Sequence, residues 1–246
     1  DGIRDVAVTG VQTCALPIWF VAVRRRGKYL LCDLDSGDSV MVHLRMSGRL
    51  LTAPVGSPRP PHTHVVMAMG GTELRFVDPR TFGEVVVFDP DHADREVPEL
   101  ARLGVDPIVD DFDRTVLARA LAGTSRAIKT VLLDQHRIAG LGNIYTDEVL
   151  HRARVRYDRP ADRLRPVEVS RLADATTEVL VAAIEAGGST LDDTQYVDLE
   201  GRVGGYQEQH LVYGREGEGC LTCGRAAIRR AVVGGRSTCY CPRCQK

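Results

Sequence analysis

Four cysteines near the end of the chain form two pairs, and their spacing restricts the possible folds more than any other feature. Cys220 and Cys223 are separated by two residues, as are Cys241 and Cys244, and seventeen residues lie between the pairs. Two tight knuckles at this spacing present four thiolates in the tetrahedral arrangement that Zn²⁺ prefers. Because the first residues lack the order of a secretory signal, a disulfide pair is the lesser alternative. The pattern predicts one zinc ion bound by all four residues.

Three other cysteines fall outside this pattern. Cys239 lies two residues before Cys241 and cannot replace it without changing the knuckle spacing, so we predict that it is a non-ligand on a strand. Cys32 lies in an apolar strand pattern and is predicted to belong to a core. Four protein thiolates complete the coordination of zinc and leave no position for a reactive water, so the predicted zinc is structural.

The charge of the chain is unevenly distributed, although the formal net charge is only -1. The segments 19–60 and 205–246 each carry seven Arg or Lys against three acids, whereas 84–113 carries ten acids against two arginines. Two basic regions that flank an acidic connector indicate a polyanion-binding surface, with ordinary solvated surface charge as the alternative. No apolar run approaches the roughly 20 residues that span a bilayer, so we expect a soluble, cytoplasmic protein.

Strand patterns fill the segment 20–88. Apolar and β-branched runs are separated by turn signals such as Gly70-Gly71, a spacing that predicts a sandwich or barrel. The predicted strands are Phe20–Val23, Tyr29–Leu34, Val40–Met46, His64–Met69, Leu74–Val77 and Glu84–Phe88. The proline-rich stretch 54–61 is predicted to be a loop, and 89–111 an acidic linker.

Helical periodicity begins after this linker. Helices are predicted after Asp113 as an N-cap, over 125–134, from Asn143, and after Pro166 with Gly187-Gly188 as the stop. Residues 189–215 are rich in Gly, Asp and Gln and are predicted to form a long loop that leads to the cysteine pairs.

The turn Gly140-Leu141-Gly142-Asn143 joins two of the predicted helices. Its glycines permit positive φ, and Asn143 is predicted to cap a helix whose free amides favour a phosphate. Ile144-Tyr145-Thr146-Asp147-Glu148 follows the turn, and Ile128-Lys129-Thr130 precedes it. Together these segments resemble the helix–two-turns–helix region of the formamidopyrimidine-DNA glycosylases, the family that also contains endonuclease VIII. The resemblance extends over residues 19–246.

Several site residues follow from this resemblance. It implies that Lys28 reaches the lesion site and serves β-elimination, and that Met46 enters the gap left by the everted base. It also implies that Arg80 contacts the orphaned base opposite the lesion and that Phe82 is wedged beside it. Without the resemblance, Lys28 is an exposed lysine between two strands and Met46 is a core methionine.

Further DNA contacts are implied in the later parts of the chain and in one loop of the strand region. The resemblance implies that Arg236 binds a phosphate near the lesion and serves δ-elimination. The other implied DNA contacts are His62, Arg126, Lys129 and Asn143.

The start of the chain departs from the family pattern. Family members begin with Pro-Glu after the initiator Met, and the proline amine forms a Schiff base with the glutamate as its acid–base partner. Pro17 is internal, so its nitrogen is an amide and not a nucleophile. Residues 1–18 have no clean periodicity and are predicted to be foreign to the protein, with a natural leader as the alternative. We therefore expect a truncated chain that binds DNA weakly or not at all and has no lyase activity.

The sequence predicts an α+β multidomain protein. The predicted parts are a leader at 1–18, an incomplete N-terminal β-sandwich at 19–110, a helix–two-turns–helix domain with a lesion-capping loop at 111–204, and a zinc-finger β-hairpin at 205–246. The resemblance implies a monomeric bacterial base-excision glycosylase and AP lyase that binds damaged double-stranded DNA in the nucleoid and removes 8-oxoguanine and formamidopyrimidine. An endonuclease VIII-like glycosylase for oxidised pyrimidines and a non-catalytic zinc-containing DNA-binding remnant are the alternatives.

Overall fold

The computed structural model describes residues 19–191 and 196–246, so the predicted foreign leader lies outside the described residues. Within them the chain packs as two compact units. The first, called the β unit here, holds the chain up to Ala101 together with Ala186–Gln207. The second, called the helix–zinc unit, holds Arg102–Glu185 together with Glu208–Lys246. The two units are defined by how the chain packs, and the domain limits inferred from the sequence stay predictions.

The β unit contains two antiparallel sheets. Its strands in the described residues are β1 (Phe20–Arg26), β2 (Tyr29–Leu34), β3 (Ser39–His43), β4 (Arg49–Pro54), β5 (Thr63–Met69), β6 (Thr72–Val77) and β7 (Glu84–Phe88). One sheet has the order β1-β2-β3-β7 and the other has the order β4-β6-β5. Two short helices, α1 (Ala93–Glu96) and α2 (Pro98–Ala101), follow β7 in the acidic segment that was predicted to be a linker.

The two sheets share one apolar core. Residues two apart on a strand face the same side, and Val40 and Val42 of one sheet are buried together with Leu74 and Phe76 of the other. Cys32 belongs to the same core, as predicted. This packing confirms the predicted β-sandwich.

Strand β4 is not predicted by the sequence, because its residues lead directly into a proline-rich loop. In the structure it pairs antiparallel with β6, from Arg49 opposite Val77 to Pro54 opposite Thr72. Proline is tolerated at this place because it ends an edge strand, where a missing N–H breaks no central hydrogen bond.

The helix–zinc unit is built on four helices in the described residues, namely α3 (Arg114–Leu121), α4 (Ile128–Leu132), α5 (Asn143–Arg152) and α6 (Pro166–Glu185). The predicted N-cap is confirmed, since the Asp113 carboxylate accepts hydrogen bonds from Thr115 N and Val116 N, each at 2.8 Å. Helix α4 is shorter than the predicted 125–134. Ala127 has a non-helical ψ of 135° and forms a bridge with Pro160, so the helix does not extend before Ile128.

The amphipathic helix predicted after Pro166 is confirmed as α6. It ends before Gly187 and Gly188, which both have positive φ, +71° and +85°, a conformation that glycine adopts without steric cost. No helix in the described ranges is long and apolar enough to cross a membrane.

The predicted hairpin near the cysteines consists of β8 (Arg229–Val233) and β9 (Arg236–Tyr240). Val233 pairs with Arg236, so Gly234-Gly235 forms a two-residue turn with φ of +57° and +74°. Positive φ at both central positions is the requirement of a tight type I′ turn, which residues with a Cβ meet poorly. The turn makes Arg236 the first residue of β9.

Candidate nucleic-acid interface and metal centre

The four predicted zinc ligands come together in the helix–zinc unit. Their Sγ atoms all lie within 4.8 Å of one another, and the Cys220–Cys244 and Cys223–Cys241 pairs are each 3.8 Å apart. Four sulfurs placed tetrahedrally about 2.3 Å from one zinc ion lie about 3.8 Å from one another. Cys239 is buried in β9 and is not part of this group, as predicted. The cysteines fit one structural zinc, which, when bound, cross-links the two knuckles.

Two side chains connect the zinc knuckles to helix α5 and the turn after it. Gln245 Oε1 accepts a hydrogen bond from Cys241 N at 2.9 Å, and its Nε2 donates to Val155 O at 3.0 Å. His151 Nε2 lies 2.8 Å from Thr222 Oγ1 in the other knuckle. The position of the knuckles is therefore set by the helices as well as by the metal ligands.

A buried ion pair anchors strand β9 to helices α4 and α5. Lys129 and Asp147 have fully buried side chains, and Lys129 Nζ lies 2.7 Å from Asp147 Oδ1. Lys129 Nζ also donates to Ser237 O at 2.8 Å. Asp147 accepts hydrogen bonds from Thr238 Oγ1 at 2.7 Å and from Cys239 N at 2.8 Å. The pair therefore holds three consecutive residues of β9, directly after its first residue.

The implied DNA contact by Lys129 is corrected by this arrangement. Its ammonium group has no exposed surface and is already bound to a carboxylate and a carbonyl, so a phosphate cannot reach it. Burial lowers the pKa of Lys129 and raises the pKa of Asp147, because desolvation outweighs the attraction between the two charges. Lys129 is a residue that positions the hairpin.

Asn143 does not take the predicted N-cap position. Helix α5 begins at Asn143 itself, and the preceding Gly142 is the N-cap without a side-chain hydrogen bond. Asn143 Nδ2 instead donates to Ser237 O at 3.1 Å, the same carbonyl that Lys129 binds. Asn143 thus helps to orient β9, and its own contact with DNA stays a prediction.

Arg126 and Arg236 line one surface recess of about 220 Å³ in the helix–zinc unit. Both residues are exposed, and the Arg126 guanidinium is bound to Asp134 at 2.8 Å. Two guanidinium groups at one concave surface can bind a phosphate through paired N–H donors. A phosphate in this recess would compete with Asp134 for Arg126.

In the β unit, one buried carboxylate organises the loop that carries Arg80 and Phe82. Asp78 accepts hydrogen bonds from Phe82 N at 2.8 Å, from Gly83 N at 2.7 Å and from Arg80 N at 3.1 Å. Ser47 Oγ donates to the same carboxylate. The sequence did not lead us to assign a role to Asp78, although aspartate before a turn is a local signal for such bonds to the following amides.

The environment of Asp78 connects the three segments of the β unit that are implied in DNA binding. Burial by itself would raise the pKa of Asp78, but the hydrogen bonds from Ser47 and the loop amides hold it below its ordinary value. Ser47 belongs to the loop of Met46, and Asp78 N donates to the carbonyl of the exposed His62 at 3.0 Å. Asp78 therefore supports all three segments, the loops of Ser47 and Arg80 through its carboxylate and His62 through its backbone N–H.

Met46 and Phe82 are strongly exposed although they are apolar, with exposed fractions of 55% and 51%. This exposure excludes the alternative that Met46 is a buried core methionine. The Arg80 guanidinium lies 4.7 Å from the centroid of the Phe82 ring, within the range of a cation–π contact. An exposed ring and a guanidinium on a well-supported loop can stack on a base and donate hydrogen bonds to its edge.

Lys28 is exposed in the two-residue turn between β1 and β2. The next residue, Tyr29, pairs with His43, and their rings are 4.5 Å apart. Burial, followed by the positive charge of Arg45, lowers the pKa of His43 to about 4, and the charge of Lys28 contributes in the same direction. His43 is therefore neutral, and its Nδ1 accepts a hydrogen bond from Arg45 N at 3.1 Å.

Known proteins match all three parts of the chain. The profile of the formamidopyrimidine-DNA glycosylase N-terminal domain matches residues 19–85, the H2TH domain of the same glycosylases matches 103–195, and the zinc finger found in FPG and IleRS matches 217–246. The formamidopyrimidine-DNA glycosylase of Aromatoleum aromaticum is 46% identical over 91% of this chain and 80% of its own length. That of Thermus thermophilus is 46% identical over 91% of this chain and 81% of its own length. This chain belongs to the formamidopyrimidine-DNA glycosylase (Fpg) family.

Solved structures of Fpg proteins have the same fold. The crystal structure of MutM (Fpg) from Thermus thermophilus is similar with a TM-score of 0.85 and 43% identity, covering 93% of this chain and 83% of that chain. A complex of Lactococcus lactis Fpg with DNA that contains an abasic site has a TM-score of 0.84 and 34% identity, with the same coverage. The predicted order of β-sandwich, helix–two-turns–helix region and zinc finger is therefore the Fpg fold.

In this Fpg-family chain we expect Asp78→Asn to loosen the loop of Arg80 and Phe82. The amide replaces one accepting oxygen by a donor that faces the N–H groups of the loop, so about 2–3 kcal/mol of stability is lost. Hydrogen exchange should become faster at Phe82 and Gly83. Asp113→Asn is the matched control, because asparagine caps a helix about as well as aspartate. Unchanged protection of the loop in Asp78→Asn would contradict the assigned role.

We expect the β unit of this Fpg-family chain to lose stability as the pH falls from about 6.5 to about 4. The unfolded chain protonates His43 near pH 6.5, whereas the folded chain resists protonation down to its pKa of about 4. The stabilisation is complete above pH 6.5 and decreases by about 3 kcal/mol across this window. His43→Asn keeps an acceptor for Arg45 N and does not titrate. Hydrogen exchange in β2 and β3 should show a weaker pH dependence in the variant, and an unchanged dependence would refute the assignment.

Proposed function

We propose that this chain acts in base-excision repair as a DNA glycosylase that recognises the oxidised purines 8-oxoguanine and formamidopyrimidine in duplex DNA. The observation that carries the proposal is the exposed Arg80–Phe82 pair, which the buried carboxylate of Asp78 holds in place. Relatives over nine-tenths of the chain are formamidopyrimidine-DNA glycosylases. Solved relatives include Lactococcus lactis Fpg bound to DNA with an abasic site and to DNA with Fapy-dG.

The loops of the β unit supply groups that a base-everting enzyme needs. Extruding a nucleotide from a duplex costs a few kcal/mol of stacking and pairing, and it leaves the opposite base without a partner. In the proposed complex Met46 fills the gap, Phe82 stacks beside the orphaned base, and Arg80 donates hydrogen bonds to its edge. Because Asp78 already orders the loop, little conformational entropy is lost when DNA binds.

The elimination steps need the N-terminal proline amine of the family pattern, and for a protein that carries it we propose that Lys28 and Arg236 serve these steps. Lys28 would move protons during β-elimination, and Arg236 would bind the phosphate that leaves during δ-elimination. A guanidinium stays protonated at any physiological pH, so Arg236 supplies charge and N–H donors. Strand β9 presents Arg236 at its first residue, and the Ser237 carbonyl beside it is bound by Lys129 and Asn143. These are the interactions that would position Arg236 for its phosphate.

We infer that the protein works as a monomer in the bacterial cytoplasm, where the DNA of the nucleoid is its partner. The inference is supported by the bacterial relatives and by the DNA complexes of the structural relatives. Size-exclusion chromatography with light scattering tests the monomer, and a dimer at micromolar concentration would refute it.

Binding to lesion-containing duplexes tests the proposed specificity. Fluorescence anisotropy should show tighter binding to a duplex with 8-oxoguanine opposite cytosine than to a duplex with thymine glycol. Arg80→Ala should weaken the 8-oxoguanine complex by about tenfold to a hundredfold, because a paired contact with a base edge contributes about 1–3 kcal/mol. Arg95→Ala, which removes an exposed arginine of the same unit, is the matched control. Preference for thymine glycol, or equal effects of the two substitutions, would overturn the proposal.

A further inference from the structure

A second basic cavity lies in the helix–zinc unit. It has a volume of about 370 Å³ and is formed by the start of α6, the turn after α5 and both zinc knuckles. Its lining contains the carboxylate of Glu168 and the thiols of Cys223 and Cys244. Five cationic residues also line it, namely Arg154, Arg165, Arg171, Arg243 and Lys246. None of these residues belongs to the proposed DNA contacts. A concave surface lined by cations from separate segments attracts anions.

The acidic residue of the cavity is already neutralised. Glu168 accepts hydrogen bonds from Arg165 N at 2.8 Å and from Arg165 Nη2 at 3.2 Å, and Arg159 Nη1 lies 3.4 Å from it. These contacts, with the Arg165 side chain as the largest, lower the pKa of Glu168 to about 2. Arg165 and Arg159 therefore compensate the negative charge of Glu168, which does not neutralise the other cations of the cavity.

The other four cations have no carboxylate partner within the ranges that the structure describes. No ion pair in these ranges includes Arg154, Arg171, Arg243 or Lys246. Arg171 Nε is moreover buried without a hydrogen-bond partner in the same ranges. A buried N–H donor without a partner is unfavourable, and a bound acceptor would relieve this cost.

The zinc centre accounts for part of this positive charge. A zinc ion with four thiolates has a net charge of about -2, and Cys223 and Cys244 line the cavity. The five cations exceed the combined charge of Glu168 and such a centre by about two. An excess of positive charge thus remains in the cavity when the metal is bound.

Arg154 belongs to the turn that ends helix α5. Its φ is +58°, and Arg154 N and Val155 N donate hydrogen bonds to His151 O and Leu150 O, the pattern of an ordinary C-terminal helix cap. This cap places a long cationic side chain at the cavity, at a position where glycine is the usual residue.

We propose that this cavity binds a phosphate oxyanion. Guanidinium groups match phosphate because their paired N–H donors can reach two oxygens at once, and here they come from separate segments that can surround the anion. The phosphate can be a free inorganic anion or part of a nucleic-acid backbone, since both present the same oxygens. The site is separate from the recess of Arg126 and Arg236 that is proposed for the DNA near the lesion.

Titration of the zinc-loaded protein with inorganic phosphate tests the site. Isothermal titration calorimetry at low ionic strength should show saturable binding with one phosphate per chain. In the double variant Arg154→Gly/Arg171→Gln the affinity should fall at least about tenfold, the effect of losing one charge-assisted hydrogen bond. The glycine relieves the positive φ of residue 154, so the variant should remain folded.

The double variant Arg114→Gln/Arg119→Gln is the matched control. It removes the same charge from the exposed surface of α3 in the same unit, and its phosphate affinity should equal that of the wild type. Zinc content is measured in every variant. Absence of saturable binding in the wild type, equal affinities in the two variants, or loss of zinc from the cavity variant would overturn the proposal, the last because the cations would then serve the metal centre.

A second titration with the oligonucleotide (dT)8 distinguishes the two sources of phosphate. If the cavity variant binds both inorganic phosphate and the oligonucleotide more weakly than the control variant does, the cavity binds a nucleic-acid backbone. If only the affinity for inorganic phosphate falls, the cavity binds a free anion. Both results support the site, and in the first case the salt slope of oligonucleotide binding should decrease by about 0.7 for each phosphate that the variant no longer binds.

Discussion

Removal of zinc will unfold the C-terminal hairpin and abolish binding to damaged DNA. Metal binding contributes about 10–16 kcal/mol to the folding of zinc-finger peptides, and the apolar cluster around the knuckles is small. Its buried members are Val212, Cys220, Ile228, Cys239 and Cys241. Without the metal this cluster cannot hold β8 and β9 together, and Arg236 is lost from its place. Cys241→Ser should therefore lose zinc, protection of β9 from hydrogen exchange, and affinity for 8-oxoguanine duplexes.

The neighbouring Cys239 provides the matched control for this experiment. It is buried in β9 two residues before Cys241 but lies outside the group of clustered thiols. Cys239→Ala should keep one zinc per chain, measured by plasma mass spectrometry, and should keep the hairpin. Zinc retained by Cys241→Ser, or zinc lost from Cys239→Ala, would show that the ligands are assigned wrongly.

Lys129→Met will destabilise the helix–zinc unit by about 3–5 kcal/mol, because it leaves Asp147 as a buried charge without its cation. The variant also loses the hydrogen bond from Lys129 Nζ to Ser237 O, so the start of β9 loses part of its support. Urea unfolding followed by hydrogen exchange in α5 and β9 measures the change. The same measurement with Asp147→Asn should give a loss of similar size.

An exposed ion pair of the same unit supplies the comparison. Arg152 and Glu178 lie 3.2 Å apart with about half of each side chain exposed, and such pairs contribute about 0–1 kcal/mol. Arg152→Met should therefore have a small effect on the free energy of unfolding. A loss below about 1 kcal/mol in Lys129→Met would mean that the pair is not buried as described.

The salt dependence of DNA binding separates the positioning role of Lys129 from a direct phosphate contact. Removing a residue that neutralises one phosphate reduces the salt slope by about 0.9. Lys129→Met should weaken binding of an 8-oxoguanine duplex while the slope stays unchanged, because its ammonium is enclosed by protein. In Arg236→Met the slope should fall, since Arg236 is exposed and is proposed to bind a phosphate. A reduced slope in Lys129→Met would show a direct contact with DNA.

The features that the sequence determined depend on close neighbours in the chain. Two residues between cysteines set the geometry of each knuckle, and the four thiols meet as the spacing predicts. Asp113 caps α3 through amides two and three residues later, and the apolar runs separated by turn signals predict a sandwich or barrel. Gly187-Gly188 likewise predicts the end of α6, and both glycines have positive φ.

The tertiary structure decided which charges are buried and what they hold. The family resemblance implies that Lys129 contacts DNA, but its partners Asp147 and Ser237 lie 18 and 108 residues away, and no local pattern encodes that burial. Asp78 is similar, since Ser47 reaches it from 31 residues away. The sequence does not distinguish a charged side chain in water from one that is paired with a distant carboxylate. The packing of remote segments decides between the two, because desolvation and pairing depend on the whole surroundings of the group.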